Sequence, residues 1–322
     1  MILNKIMFAG VVMLISISFY AFVASGTTES QQPGAIIVAH GSINPEWNQQ
    51  IEDFYDNIKS SIQPSKLAFL RFDTEKTMTK AVKELKNDGI GNIVLVHLSP
   101  SSYSIRHEEL VDYAADTNPD PSLELIVSPA IDDHHLVVET LKDYAKELSQ
   151  EPENESLILL ADGPADELDN IAWLRKLDRI GKMIRLQVRF SEVVSMTLRN
   201  YSADLIQEKA MIDLRKTVKR LSEKGRVIIL PYMLWQGSFY DDLQSYLRGI
   251  ASPEKIAISD QNVITHPNIA QWVKKVMKKG MNQPSVMPVN RNWSAHNAEM
   301  GGECSYEYGR AKIEKNCDAA KK

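Results

Sequence analysis

AIIVAHGSINPEWNQQ, residues 35–50, decides the fold. Ala35 to Ala39 form a short apolar run of the kind that is buried on both faces of a sheet, and His40-Gly41-Ser42 ends it in a turn. From Glu46 to Ile62 the apolar positions recur at helical spacing. Strand, turn and helix in that order open an α/β unit.

Downstream the rhythm continues. The pattern predicts a strand near Lys66 to Phe72, a helix near Glu75 to Asn87, a strand from Asn92 to Leu98 and a loop over Ser99 to Ser104. A helix beginning near Ile105, a strand near Leu123 to Val127 and a helix from about His134 to Leu148 follow, with Asp132 and Asp133 expected to cap the last of these. Pro152 to Asn154 break the chain, and then the order restarts. Ser156 to Ala161 read as a strand running into Asp162-Gly163-Pro164, with a helix through Asp169 and Leu174. Next come a strand near Arg185 to Phe190, a long helix ending near Lys224, the strand Arg226 to Tyr232, a helix over Gly237 to Tyr246, and the last helix from Asn268 to Met277.

Gly41 and Gly163 lie 122 positions apart in matching turns, so an internal duplication is the economical account. The predicted fold class is therefore α/β, with two similar lobes over residues 35–150 and 151–280, each a parallel sheet flanked by helices. Ligands of such sheets bind beyond the carboxyl ends of the strands, which nominates His40, Ser99 to His107, Asp162 and Trp235 to Phe239 as site loops.

The two ends read differently. Lys5 precedes an apolar run from Ile6 to Val23, followed by Ala24, Ser25 and Gly26. Residues 1–26 are read as an export signal that is either cleaved or kept as an N-terminal anchor, and residues 27–34 as a linker. The protein is thus expected to be periplasmic or secreted, with the membrane as a partner only if the segment is retained. Residues 281–322 form a polar tail without periodicity that holds both cysteines, Cys304 and Cys317. In an oxidising compartment these would close a disulfide, and otherwise they are free thiols.

The 322 residues carry a formal net charge of −5, with 43% apolar and 25% charged positions, which fits a folded globular chain and offers no basic face for nucleic acid. Phosphate-binding glycine loops, helical His-Glu-x-x-His, Cys-x-x-Cys and Gly-x-Ser-x-Gly are all absent. No nucleotide cofactor is expected.

His40, directly after a buried strand and before a glycine, can bind a metal or move protons, or can be a hydrogen-bonded turn residue. AIIVAHGSINPEWNQQ, IVLVHLSPSS, PAIDDHHLVVETL, AWLRKL and VIILPYMLWQG, in that order between about Ala35 and Val276, together resemble the sirohydrochlorin chelatases of the CbiX and SirB type, the class II tetrapyrrole chelatases. The resemblance implies a lyase that inserts a divalent metal, Co²⁺ or Fe²⁺, into a tetrapyrrole. It gives the residue matching His40 two roles, as metal ligand and as acceptor of pyrrole protons.

The family's second histidine falls on Tyr103 in SSYSIRHEE. His107, four residues on, with Glu108 or Glu109 beside it, can turn back toward the same crevice. The candidate metal set is thus His40, Tyr103 and His107, and the candidate catalytic set is His40, His107 and Glu108. Tyr103 can instead be a packing residue. Substrate contacts are expected from Ser42, Ser101, Ser102, Asp162, Trp235 and Phe239, where Asp162 either orients ligand or caps a helix. The alternative function is an exported metal- or haem-binding protein that keeps the fold without turnover. His97, within an apolar strand, is expected to be a satisfied core histidine.

Overall fold

The computed structural model describes residues 33–116, 123–200, 202–235, 237, 239–280, 305–309 and 312–316. Its first half runs β1 (Gly34–Ala39), α1 (Pro45–Ile58), β2 (Ser65–Phe69), α2 (Met78–Asn87), β3 (Asn92–His97), α3 (Ile105–Asp116), β4 (Glu124–Val127) and α4 (His135–Leu148). The second half repeats it as β5 (Glu155–Ala161), α5 (Glu167–Val188), β6 (Glu192–Thr197), α6 (Asp204–Ser222), β7 (Arg226–Pro231), α7 (Phe239–Leu247), β8 (Ile256–Ile258) and α8 (Pro267–Gly280). The strand orders, β2-β1-β3-β4 and β6-β5-β7-β8, are the same arrangement, and both sheets are parallel. Short β8 is a strand that the sequence pattern does not reveal.

The duplication extends to single hydrogen bonds beyond the strand ends. Arg71 N donates to His40 O at 2.9 Å, and Arg199 N donates to Asp162 O at 2.6 Å. Gly41 and Gly163 share a φ of 85°, a left-handed conformation that glycine adopts without strain. At Gly41 a Cβ would also stand 2.0 Å from the Arg71 carbonyl oxygen.

Period-two alternation in the central strands builds the core on both sheet faces. Ala35, Ile37 and Ala39 of β1 join the central cluster with Leu157, Leu159 and Ala161 of β5. Ile36 and Val38 pack outward with Ala81, Val82 and Leu85 of α2 and Leu110 of α3. The last helix of each half crosses over, so that α4 contacts β7 and α8 contacts β3. Leu136, Val137, Leu141 and Ala145 of α4 and Ile269, Trp272 and Val273 of α8 are buried in the shared cluster. Tyr232 Oη donates to Asp132 O at 2.7 Å, a further link between the halves.

Two expectations are corrected. The strand predicted near Arg185 to Phe190 is the end of α5, and the strand lies at Glu192–Thr197. The alternation of Leu186 and Val188 misleads, because Leu177, Ile180, Ile184 and Val188 bury one helical stripe while Leu186 is 82% exposed. Nor do Asp132 and Asp133 cap α4: His134 does, its Nδ1 accepting from Leu136 N at 3.2 Å.

In the polar tail, β9 (Ser305–Gly309) and β10 (Lys312–Asn316) pair as an antiparallel ladder. Cys304, Cys317, the 27–32 stretch and the apolar segment 6–23 lie outside the described residues, among which no helix is long and apolar enough to cross a membrane.

Trp272 belongs to the second half by sequence and contributes to the covering of the first sheet. Trp272→Ala is expected to cost about 3–5 kcal/mol, with both halves melting in one transition by calorimetry. Separate transitions, with the second half alone destabilised, would contradict the exchange.

Candidate functional site

In the first sheet the strand order reverses at β1 and β3, so the crevice beyond their carboxyl ends is the natural ligand position. His40 stands there as the first residue after β1. Its Nε2 has no exposed surface and no hydrogen-bond partner, alone among the buried side-chain nitrogen and oxygen atoms of the described residues. Burial, with Arg106 and Arg71 nearby, pushes its pKa down to about 4 against an opposing hydrogen bond with the Gly41 backbone. The imidazole is therefore neutral at physiological pH, the form that coordinates a metal. Phe72 meets it edge-on with ring centroids 5.9 Å apart, while standing at a φ of 62° that bulky residues seldom adopt.

His97 pairs in register with Val38, two residues before His40, and α3 covers that face. His97 is buried, and its Nδ1 lies 3.0 Å from His107 Nδ1 with the rings stacked at 5.2 Å. One ring donates and the other accepts, so the pair cannot be doubly protonated in this geometry. Burial lowers both pKa values; His107 and His40 press His97 further down, whereas Asp132 partly opposes the shift at His107. His97 is thus a satisfied core histidine. It also occupies one nitrogen of His107.

Glu108 follows on α3. Burial first, then Asp169, Asp112, Asp166 and Glu109, raise its pKa to about 7. Asp166 and Asp169 belong to the start of α5, so acidic groups from both halves face Glu108. Glu109 Oε1 accepts from Arg71 Nη2 and from Arg106 Nη1, each at 2.6 Å.

The serines predicted to touch substrate are busy within their loops. Ser42 Oγ accepts from Asn44 N at 3.0 Å, and Ser101 Oγ accepts from Tyr103 N at 3.1 Å. Ser102 Oγ donates to Asp132 Oδ2 at 2.7 Å and accepts from Ala130 N at 3.1 Å. Tyr103 packs on the central cluster with the Lys176 ammonium 5.3 Å from its ring centroid. Lys176 also pairs with Asp132 Oδ2 at 2.7 Å.

In the second half, Asp162 accepts a hydrogen bond from Asn200 Nδ2, and burial raises its carboxyl to about 6 despite that bond. The α5 cap is Asp166, which accepts from the Leu168 and Asp169 amides at 2.8 and 3.0 Å, so the capping role considered for Asp162 is filled elsewhere. Trp235 borders a separate cavity of about 430 Å³ with Asn44, Glu46, Tyr240, Asp241 and Asp260. Phe239 packs against the outer core of the second sheet.

The crevice groups that sequence reasoning missed are Arg71, Phe72 and Arg106. A signal existed for Arg71: Leu70-Arg71 and Leu198-Arg199 are the same dipeptide at the same place in the repeat. Among the described residues no group of three or more His, Cys, Asp or Glu side chains is arranged to hold a metal ion.

Residues 34–148 match the CbiX protein family. Bacillus subtilis SirB with Fe³⁺ superposes with a TM-score of 0.64 at 16% identity, over 78% of this chain and 96% of that one. SirB of Bacillus subtilis subspecies spizizenii, a sirohydrochlorin chelatase in complex with cobalt, gives 0.61 at 15% identity over 79% and 97%. CbiX, described as the terminal enzyme of sirohaem biosynthesis in denitrifying bacteria, gives 0.53 at 16% over 76% and 98%. No curated protein matches the sequence. At these identities the structural likeness establishes the two-lobed fold.

The Glu108 shift has a consequence for stability. Its folded pKa, about 7, exceeds the ordinary 4.5, so the protonated form favours the fold. That contribution is complete below pH 4.5 and is lost as pH rises through about 7. Glu108→Gln should match the parent near pH 5 and exceed it at pH 8 by on the order of 1 kcal/mol, a figure discounted for solvent screening. Urea unfolding at both pH values checks this, and an equal difference at the two would refute it.

Proposed function

We propose, from the resemblance of residues 34–148 to the CbiX family and of the fold to SirB, that the chain is a class II chelatase that inserts cobalt or ferrous iron into a sirohydrochlorin-like macrocycle. The observation that carries the reading is the buried, partnerless Nε2 of His40 at the switch point of the sheet. A buried polar atom without a partner costs about 1–3 kcal/mol, and an incoming metal ion would relieve that cost. The metal is substrate here, held in passing by His40 while the macrocycle supplies the remaining nitrogens.

Proton removal then falls to a second group. An imidazole lowered to about 4 coordinates well but is a weak base, whereas a carboxyl near 7 takes and releases protons at neutral pH. In this scheme Glu108 accepts the pyrrole protons and His40 the metal. His107 has one ring nitrogen tied to His97, so it supports the loop and α3 start more readily than it ligates. The cobalt and Fe³⁺ complexes of the SirB structures support cobalt and iron as the ions to try first. With residues 1–26 as an export segment, the reaction takes place outside the cytoplasm.

The test is anaerobic incubation of the full chain with sirohydrochlorin and Co²⁺ or Fe²⁺, following the absorption spectrum against the uncatalysed rate. His40→Ala should lower insertion by ~100-fold or more while the metal-free macrocycle still binds. Tyr103→His, which restores the family's second imidazole, should raise the rate several-fold. No insertion by the parent, with stable binding of haem or metal alone, would move the protein to the non-catalytic binding class.

A further inference from the structure

The loop over residues 99–104, which leads from β3 into α3, is gripped by the loop that follows β4. Ile131 N donates to Ser99 O at 3.0 Å, Asp132 N to Pro100 O at 2.9 Å and Ala130 N to Ser102 Oγ at 3.1 Å. The grip closes on one carboxylate. Asp132 Oδ1 accepts from Ser102 N at 2.9 Å, and Oδ2 accepts from Ser102 Oγ at 2.7 Å. Asp132 is buried and stands at a φ of 51°, a left-handed conformation that Asp tolerates better than most residues but not freely. Such strain persists where the surroundings over-determine it.

Two of those surroundings belong to the second half. Lys176 of α5 holds its ammonium 2.7 Å from Asp132 Oδ2, with the two side chains only 18% and 11% exposed, so water screens the pair little. Tyr232, directly after β7, donates its hydroxyl to Asp132 O at 2.7 Å. From Ser102 the hold passes along the chain: Tyr103 N donates to Ser101 Oγ at 3.1 Å, Ser104 N to Ser101 O at 3.3 Å and His107 N to Ser104 O at 2.8 Å. Glu108 is the next residue. Asp132 and Lys176 also act on the His107 imidazole electrostatically, in opposite directions.

We infer that Asp132 is a positioning residue: through Ser102 it sets where α3 begins and so where Glu108 stands, and Lys176 makes that setting depend on the second half. The inference rests on the chelatase reading for the task of Glu108, and on the hydrogen bonds alone for its position. His40 has a separate support, β1 and the Arg71 amide at its carbonyl oxygen. The metal ligand and the proton acceptor are therefore mounted independently, and one can be disturbed without the other.

Asp132→Asn tests this gently, because Asn also tolerates the left-handed conformation and still accepts from Ser102 N, while the charge that holds Lys176 is gone. In the full chain, amide exchange over residues 99–108, read by mass spectrometry, is expected to speed up by about tenfold, with β1 and β5 unchanged. Lys176→Gln, on a helix of the other half, should loosen the same segment. The double variant should be no faster than either single one, since the pair acts as a unit. Metal insertion should lose about tenfold in kcat, while the affinity for Co²⁺ alone stays within about twofold of the parent. A merely structural role would lower both, or speed exchange across both sheets, and either result overturns the inference, as does unchanged exchange over 99–108. Segmental loosening in a chain that inserts no metal keeps the positioning and removes the chelatase reading. Insertion by the parent with unaltered kcat in both single variants does the reverse.

Discussion

The crevice depends on the absence of one carbon atom. A Cβ at Gly41 would lie 2.0 Å from the Arg71 carbonyl oxygen, closer than any real contact. Because the position is bare and left-handed, the chain leaving β1 can run against the chain leaving β2, and the Arg71 amide reaches His40 O. That approach sets His40, Arg71 and Phe72 side by side. Glu109 then ties Arg71 to Arg106 and so anchors the start of α3, which brings His107 onto His97 and Glu108 into the acid-lined side.

The same device in the second half serves a different end. Gly163 has the same φ and Arg199 makes the same backbone bond, but Asp162 replaces the imidazole and the arginine is sealed under Glu167. The repeat supplies two equivalent turns, and their side chains differ, with a partnerless imidazole in one and a hydrogen-bonded carboxyl in the other. The polarity of that crevice, arginines on one flank and carboxyls on the other, arises because α5 of the second half delivers Asp166 and Asp169 to Glu108 of the first. Neither half builds it alone.

Much of this was legible in the sequence, for physical reasons that also explain the rest. Strands buried on both faces read as apolar runs, so β1, β3, β5 and β7 and the two glycine turns stood out, and with them His40 and Asp162. Edge strands carry less signal: β6 is only half-buried, and its place was given to the alternating end of α5, while three-residue β8 passed unseen. Capping was misassigned at Asp132 and Asp133, and left open at Asp162, because an acidic residue before a helix has several possible partners. Here Lys176, Ser102, Arg179 and Asn200 claimed them. Arg71 and Phe72 were missed because the predicted strand ran on through Phe72, whereas β2 ends at Phe69 and leaves both residues in the turn beyond it.

The exchange of α4 and α8 also governs how the molecule can move. A hinge needs a strip that few contacts cross. Here α4 rests on β7, α8 rests on β3, and the two helices touch each other, so many contacts cross the strip between the sheets. Opening the halves like a jaw would expose Trp272, Trp173 and Tyr232 together. The two halves therefore hold a nearly constant separation, and what can move at the crevice is its rim side chains. Phe72 and Arg71 are exposed enough to change rotamer on the nanosecond scale, so the rim of the crevice is soft where its floor is rigid.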